Sequence, residues 1–288
     1  MNHGPVQPNA PSSPSLQGVN HYENFPVASL LCPPRLRPVI AAIYWFARTA
    51  DDIADEGNAQ HQARLDDLAS YRSDLLACAQ EKPFSARWSE VFKALAPAIA
   101  QWQLPLKLLT DLLSAFEQDV VKQRYASEAE LLDYCSRSAN PIGRLLLHLY
   151  GVRDIQSLHQ SDCICTALQL INFWQDLSVD IPRGRIYLPA DAWAAHQVHE
   201  AQLLALQNTP GTINLIASQV RFARVRMLEG LQLTKKIPGR SGWELRLVVQ
   251  GGLRILDKIE ASGFTSLRKR PKLGPWDVAV MGWRALMM

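Results

Sequence analysis

The sequence predicts a globular, all-α fold, and three observations support this prediction. Leucine and alanine are abundant in the 288 residues, whereas the alternating runs of Val, Ile and Thr that form strands are nearly absent. The 15 glycines and 18 prolines divide the chain into segments of helical length. Hydrophobic residues make up 48% and charged residues 20%, a balance that is typical of a globular protein and excludes disordered and fibrous classes.

Eleven segments between these breaks have the composition of helices. In chain order they are 35–56, 59–80, 86–102, 105–124, 128–135, 141–150, 160–181, 190–206, 212–235, 242–261 and 274–286. We expect one helical domain over residues 20–288, because no repeat or low-complexity linker separates these segments. We interpret residues 1–19 as a disordered tail, because Pro, Ser and Asn stand where a signal peptide has a basic start and an apolar centre.

Two stretches, residues 39–47 and 167–177, are apolar around the whole helical circumference. Helices of this kind lie inside a bundle rather than on its surface. Neither stretch reaches the roughly 18 uncharged apolar residues that suggest a membrane span. Both lead directly into acidic residues.

The acidic residues after each apolar stretch repeat at a spacing of four. Asp51 and Asp55 follow the first stretch, and Asn172, Asp176 and Asp180 follow the second. This spacing places each set on one stripe of its helix. An anion in the last turn of a helix opposes the macrodipole at a cost of about 0.3–1 kcal/mol, so the arrangement favours a compensating cation. Oxygen ligands alone indicate a hard cation such as Mg²⁺, which also bridges to phosphate oxygens.

The acidic residues also have structural interpretations. Asp55 or Asn58 would cap the next helix, and Asp180 would precede a turn. Asp66 and Asp67 are typical of a solvated helix face. Because two acidic clusters each end an unusually apolar helix, we favour the metal site.

At these residues the chain resembles the squalene/phytoene synthase family, the head-to-head trans-isoprenyl diphosphate synthases. The resemblance extends from His21 to the C-terminus, and its motifs are the segments 44–48, 51–55, 134–135, 169–180 and 184–189. It implies a single-domain isoprenoid synthase helical bundle with a central cavity. It further implies that Mg²⁺ and a prenyl diphosphate lie between the two acidic motifs.

The resemblance implies roles for individual residues. The metal ligands would be Asp51, Asp55, Asn172, Asp176 and Asp180. The substrate-binding residues would be His21, Tyr44, Arg185 and Tyr187. The catalytic residues would be Tyr134, Arg48, Asp52 and Asn140. His21 would otherwise be a histidine of the tail.

Other catalytic and binding candidates also have structural alternatives. Tyr44 and Tyr134 are typical core aromatics. Arg48 would equally form a salt bridge with Asp52 or Asp55.

Within the family, the segments 21–29, 138–141 and 172–176 resemble the bacterial hopanoid-pathway branch that forms hydroxysqualene. This branch would ionise presqualene diphosphate with Mg²⁺ and let water capture the carbocation. Asn140 would hold that water, or it would serve only as an N-cap before Pro141. The alternative is a transferase that condenses two farnesyl diphosphates. A helical scaffold that has lost the chemistry is disfavoured, because all the expected acids are present.

Cysteine content, net charge and the C-terminal segment bear on location and partners. The five cysteines are odd in number and contain no CxxC pair, which indicates a reduced, cytoplasmic compartment. A net charge of +3 gives no argument for a nucleic-acid partner. The basic segment 268–272 precedes Trp276 and Trp283, a pattern suited to peripheral membrane contact. The alternative is that the last helix simply packs on the bundle, and delivery of substrate by a pathway partner enzyme stays open.

Overall fold

The computed structural model describes residues 31–288, which fold into thirteen α-helices and two short 3₁₀ helices. In chain order the α-helices are α1 (Arg37–Asp55), α2 (His61–Ala79), α3 (Ser89–Trp102), α4 (Leu106–Val121), α5 (Glu128–Ser138), α6 (Asn140–Leu149), α7 (Ile155–Asp180), α8 (Ala190–Ala195), α9 (Glu200–Leu204), α10 (Pro210–Glu229), α11 (Leu233–Lys236), α12 (Gly239–Ala261) and α13 (Pro275–Leu286). The 3₁₀ helices are Pro34–Leu36 and Ile181–Arg183. The described residues contain no strand, so the all-α prediction is confirmed, whereas the predicted tail and the domain boundary at residue 20 lie outside them.

Nine of the eleven predicted helices correspond to single helices, and two are interrupted. The predicted helix 190–206 is divided into α8 and α9, because Gln197 adopts a left-handed φ of 55° that ends α8. The predicted helix 212–235 is divided after Glu229. There Gly230 lies so close to α7 that a Cβ atom would stand 2.6 Å from the Gln160 carbonyl oxygen.

The core consists of two hydrophobic clusters. One is formed mainly by α1 to α4, and the other by α5, α7, α10 and α12. The buried residues of the two apolar stretches are Val39, Ile40, Ala42, Ile43, Tyr44 and Phe46 in α1, and Ala167, Leu170, Ile171, Phe173, Trp174 and Leu177 in α7. The prediction that both stretches lie inside the bundle is confirmed.

Arg64 fixes the turn that follows the first acidic cluster. This buried side chain donates hydrogen bonds to the carbonyl oxygens of Ile53 at 3.0 Å, Gly57 at 2.8 Å and Ala59 at 3.1 Å. The bonds satisfy carbonyls that have no partner at a helix end. The residue before α2 is Gln60, so the interpretation of Asp55 or Asn58 as the cap of α2 is wrong.

Backbone hydrogen bonds hold the segment that follows the second acidic cluster in place. After the 3₁₀ helix, Gly184 turns the chain with a left-handed φ of 86°. The amide of Ile186 then donates to the Gln123 carbonyl at 3.0 Å, and the amide of Ala190 donates to the Tyr125 carbonyl at 2.9 Å. The residues between Gly184 and Ala190 are thereby held against the connection between α4 and α5.

Across residues 31–288, no helix is both long enough and apolar enough to cross a membrane. All five cysteines are free thiols. The cytoplasmic location inferred from them stays a prediction.

Candidate active site

Arg185 lies between the two acidic clusters. Its Nη1 donates to Asp55 Oδ2 at 2.8 Å, and its second terminal nitrogen bonds the other oxygen of the same carboxylate, so the pair is bidentate. The positive charge of Arg185 also lowers the pKa of Asp119 and of Asp180, against the larger effect of burial. One guanidinium group therefore faces the C-terminal ends of α1, α4 and α7.

Arg48 is the cation of the first cluster. It contacts Asp52 at 2.7 Å, Glu56 at 2.9 Å and Asp51 at 3.3 Å. Burial raises the pKa of Asp52, and Arg48 acts in the opposite direction. The sequence analysis left open whether Arg48 forms a salt bridge with Asp52 or with Asp55. The salt bridge to Asp52 is confirmed, while Asp55 pairs with Arg185 instead.

The second cluster is bound by a segment far along the chain. Arg270 forms a bidentate pair with Asp176, with Nη2 3.0 Å from Oδ2 and Nε on the other oxygen. The neighbouring Gln175 donates its amide to the Pro271 carbonyl at 2.7 Å. Asp180 lies one turn further on α7, where burial and then the charge of Asp176 raise its pKa to about 6.

The side chains of α7 change character along the helix. Ile164 and Leu168 line an apolar pocket between α6, α7, α11 and α12. Leu168 lies one helical turn before Asn172, which begins the stripe that continues to Asp176 and Asp180. Along α7, residues that line the apolar pocket are therefore followed, toward the C-terminus, by the polar and acidic residues at the helix end.

Gly143 of α6 forms part of the pocket wall and allows α6 to approach α7 closely. A Cβ atom at this position would stand 2.5 Å from Cys165 Sγ. The glycine therefore sets the spacing of the two helices at the pocket.

Tyr187, which lies near Arg185, belongs to a cluster of aromatic side chains that contact one another. Tyr187 stacks on Phe173 with ring centroids 3.8 Å apart, and Tyr134 lies 6.4 Å from Tyr187. Tyr134 is buried, and its hydroxyl donates to Asp119 Oδ2 at 2.9 Å. The interpretation of Tyr134 as a core aromatic is confirmed by its burial, and its catalytic role stays a prediction.

Asp119 is a candidate site residue that the sequence interpretation missed. Burial raises its pKa to about 7, while the hydrogen bond from Tyr134 and the charge of Arg185 lower it. The charges of Asp55 and Asp51 raise it further. A signal was present in the sequence, because Asp119 is an acid in the last turn of an amphipathic helix, although it has no second acid four residues away.

Asn140 is the first residue of α6 and is buried. Its Oδ1 accepts a hydrogen bond from Thr166 Oγ1 at 2.9 Å, while Ala139 occupies the N-cap position. The N-cap interpretation of Asn140 is therefore wrong, and the water-holding role stays a prediction. Tyr44 is buried on α1 one turn before Arg48, and His21 lies outside the described residues.

The donor set fits a hard divalent cation, because it consists of carboxylate and amide oxygens. Two of the carboxylates, Asp55 and Asp176, are bound bidentately by arginine. Among residues 31–288, no group of three or more His, Cys, Asp or Glu side chains is close enough to hold a metal ion in this conformation. The assignment of the five metal ligands stays a prediction.

Comparison with known proteins identifies the family of the chain. Residues 19–277 match the squalene/phytoene synthase family. The chain belongs to this family. The family acts on prenyl diphosphates and generally uses divalent metal ions.

Individual members of the squalene/phytoene synthase family are similar over most of their length. A hydroxysqualene synthase of Sinorhizobium fredii is 31% identical, over 96% of this chain and 91% of its own. A phytoene synthase of Thermus thermophilus is 30% identical, over 91% of this chain and 87% of its own. The crystal structure of squalene synthase HpnC from Alicyclobacillus acidocaldarius is 35% identical with a TM-score of 0.77, over 85% of this chain and 90% of its own. The helical isoprenoid synthase fold predicted for the chain is confirmed.

Proposed function

We propose that the protein is a hydroxysqualene synthase, a lyase that converts presqualene diphosphate and water into hydroxysqualene and diphosphate with Mg²⁺. The observation that carries the substrate class is the region of α7 that leads from the apolar pocket to the acidic end. A substrate with long hydrocarbon chains and a diphosphate head matches both ends of this region. The reaction type is supported by relatives of similar length that bear this name and by the segments 138–141 and 172–176, which resemble the branch of the family that forms hydroxysqualene.

The diphosphate binds at the acidic end in this proposal. Arg185 and Arg270 present guanidinium groups there, and guanidinium binds phosphate oxygens bidentately as well as it binds carboxylates. When these two arginines turn to the diphosphate, the oxygens of Asp55 and Asp176 become available as ligands. Bound Mg²⁺ would be held by the predicted ligands and would supply positive charge to the leaving diphosphate.

The aromatic side chains favour a carbocation over bulk water. Tyr134, Phe173 and Tyr187 form an aromatic cluster near Arg185, and aromatic rings attract cations. Such a cluster would limit the access of solvent to a reactive cation.

Water capture releases a proton, and Asp119 is a suited acceptor. When the C–O bond to water forms, the oxygen must lose one proton to give a neutral alcohol. We assign this proton to the carboxylate of Asp119, which it reaches through the Tyr134 hydroxyl, because the 2.9 Å hydrogen bond joins the two groups. A pKa of about 7 allows Asp119 to bind the proton and release it near neutral pH.

The experiment that tests the function is incubation of the purified protein with presqualene diphosphate, Mg²⁺ and NADPH in ¹⁸O-water. Hydroxysqualene that carries the label is the expected product, and addition of excess EDTA should stop its formation. Squalene as the main product would contradict water capture.

The alternative function is a transferase that joins two prenyl diphosphates. It is favoured by the names of two similar proteins, the phytoene synthase of Thermus thermophilus and the squalene synthase HpnC. Incubation with farnesyl diphosphate as the sole substrate separates the two functions. Consumption of farnesyl diphosphate would support the transferase. Turnover of presqualene diphosphate without any consumption of farnesyl diphosphate would support the lyase.

A further inference from the structure

The outward face of α13 is apolar. Asp277, Met281 and Ala285 are buried at intervals of four residues, so they define the side that packs on α12. The exposed apolar residues of the helix and its end are Trp276 (85% exposed), Val278 (64%), Trp283 (66%), Leu286 (60%) and Met287 (74%). At 100° per residue, Trp276, Trp283, Leu286 and Met287 lie on the side opposite Met281. We call these four residues the α13 apolar face.

A basic segment leads into α13. Residues 268–272 contain four cationic side chains and no acid, and Arg268, Lys269 and Lys272 are exposed. The fourth, Arg270, binds Asp176 at the acidic end of the site. The segment therefore connects the acidic end of α7 to the α13 apolar face.

Acidic groups next to α13 are neutralised by neighbouring arginines and lysines. Asp277 is bound by Arg254 at 2.6 Å and by Lys258 at 2.5 Å. Asp257 is bound by Arg284 at 2.6 Å and also by Arg224. Because these acids are already paired, they do not cancel the positive charge of the basic segment next to the α13 apolar face.

We propose that the α13 apolar face and the basic segment 268–272 dock on an anionic lipid bilayer. Exposed tryptophans are suited to the membrane interface, because the ring is apolar and the indole N–H is polar. Lysine and arginine next to an apolar helix face add attraction to anionic headgroups. A second copy of the chain fits less well, because a two-fold interface at this surface would bring two basic segments together.

Docking in this orientation also bears on how a lipid substrate reaches the site, a point that rests on the proposed function. Only the few residues of the basic segment separate the α13 apolar face from Asp176. A lipid diphosphate that leaves the bilayer at this face would therefore meet the acidic end of α7 first.

Vesicle co-sedimentation without substrate or Mg²⁺ tests the docking separately from the function. The full chain is mixed with vesicles of phosphatidylcholine alone, or with about one third phosphatidylglycerol. We expect binding to the anionic vesicles that weakens with salt. The double variant Trp276→Ser/Trp283→Ser should weaken the partition coefficient on the order of tenfold or more, since two large apolar side chains are lost. Lys269→Gln/Lys272→Gln should weaken it about 20- to 30-fold, since each lysine near the surface contributes about fivefold.

The controls remove an exposed apolar side chain or two exposed lysines on other surfaces. Ile155→Ser removes a side chain that is 86% exposed at the start of α7, and Lys93→Gln/Lys107→Gln removes two exposed lysines. Both controls should bind like the unaltered protein, and circular dichroism should show that all variants are folded. No binding of the unaltered protein, or equal binding by the tryptophan variant, would overturn the proposal. A dimer in solution that Trp276→Ser/Trp283→Ser abolishes, without vesicle binding, would assign the face to a second copy instead.

Discussion

The strongest test of the Tyr134–Asp119 pair is the pH dependence of stability in the variant Asp119→Asn. Burial raises the pKa of Asp119 from 3.8 to about 7 in the folded protein. In the unfolded chain the group has the ordinary value of about 3.9. Between these two values the folded state binds the proton and the unfolded state does not, so the free energy of unfolding falls as the pH rises. From pH 5 to pH 8 this single group costs the unaltered protein about 3 kcal/mol, at 1.36 kcal/mol for each pH unit up to pH 7.

Asparagine cannot titrate, so Asp119→Asn should lack this loss. Urea unfolding followed by circular dichroism, with EDTA present, measures the difference between variant and unaltered protein at both pH values. We expect the variant to gain about 3 kcal/mol relative to the unaltered protein between pH 5 and pH 8. Asp111→Asn, on the same helix and paired with Lys107 at the surface, controls for the loss of a carboxylate outside the site. An equal difference at the two pH values would refute the assigned pKa, and full activity of Asp119→Asn would refute its role as the proton acceptor.

Three further predictions concern the ends of α1 and α7. Arg185→Lys should lower kcat/KM at least about tenfold in a steady-state assay, because lysine cannot bind Asp55 or a diphosphate bidentately. An unchanged kcat/KM would show that Arg185 does not bind the substrate. Asp176→Ala should abolish turnover while the melting temperature changes little, because its partly exposed pair with Arg270 contributes only about 0–1 kcal/mol; near-normal turnover would contradict the metal assignment. Arg64→Met should lower the free energy of unfolding in urea by about 3 kcal/mol, because three hydrogen bonds to carbonyls are lost; a change below about 0.5 kcal/mol would contradict its role at the end of α1.

Local features of the fold were predictable from the sequence, because they depend on neighbours along the chain. The spacing of Asp51 and Asp55 and of the three polar residues at the end of α7 is a local property. The start of α7 was also encoded locally, since the side chain of Asp154 accepts from the Ser157 amide at 2.9 Å, but the predicted helix began at residue 160 and missed this cap.

Other parts of the site depend on contacts that no local pattern encodes. Arg270 reaches Asp176 across 94 positions of sequence, so the spacing of residues near Asp176 contains no sign of this partner. The hydrogen bond between Thr166 and Asn140 replaces the N-cap that was one of the two interpretations of Asn140, because α6 packs on α7. The sequence therefore identified the acidic stripes and named Arg48 and Arg185, but it did not identify Arg270 as the cation that binds Asp176.

The pair between Arg185 and Asp55 has a consequence for how the protein folds. It joins residues 130 positions apart, and Arg270 extends the site almost to the end of the chain. Contacts of such long range form only after the large entropy of loop closure has been overcome. We therefore expect the charged end of α7 to be assembled late in folding. A nascent or truncated chain that ends before residue 270 can form α1 and α7 but lacks one of the two cations, so acquisition of the complete site reports that the entire chain has folded.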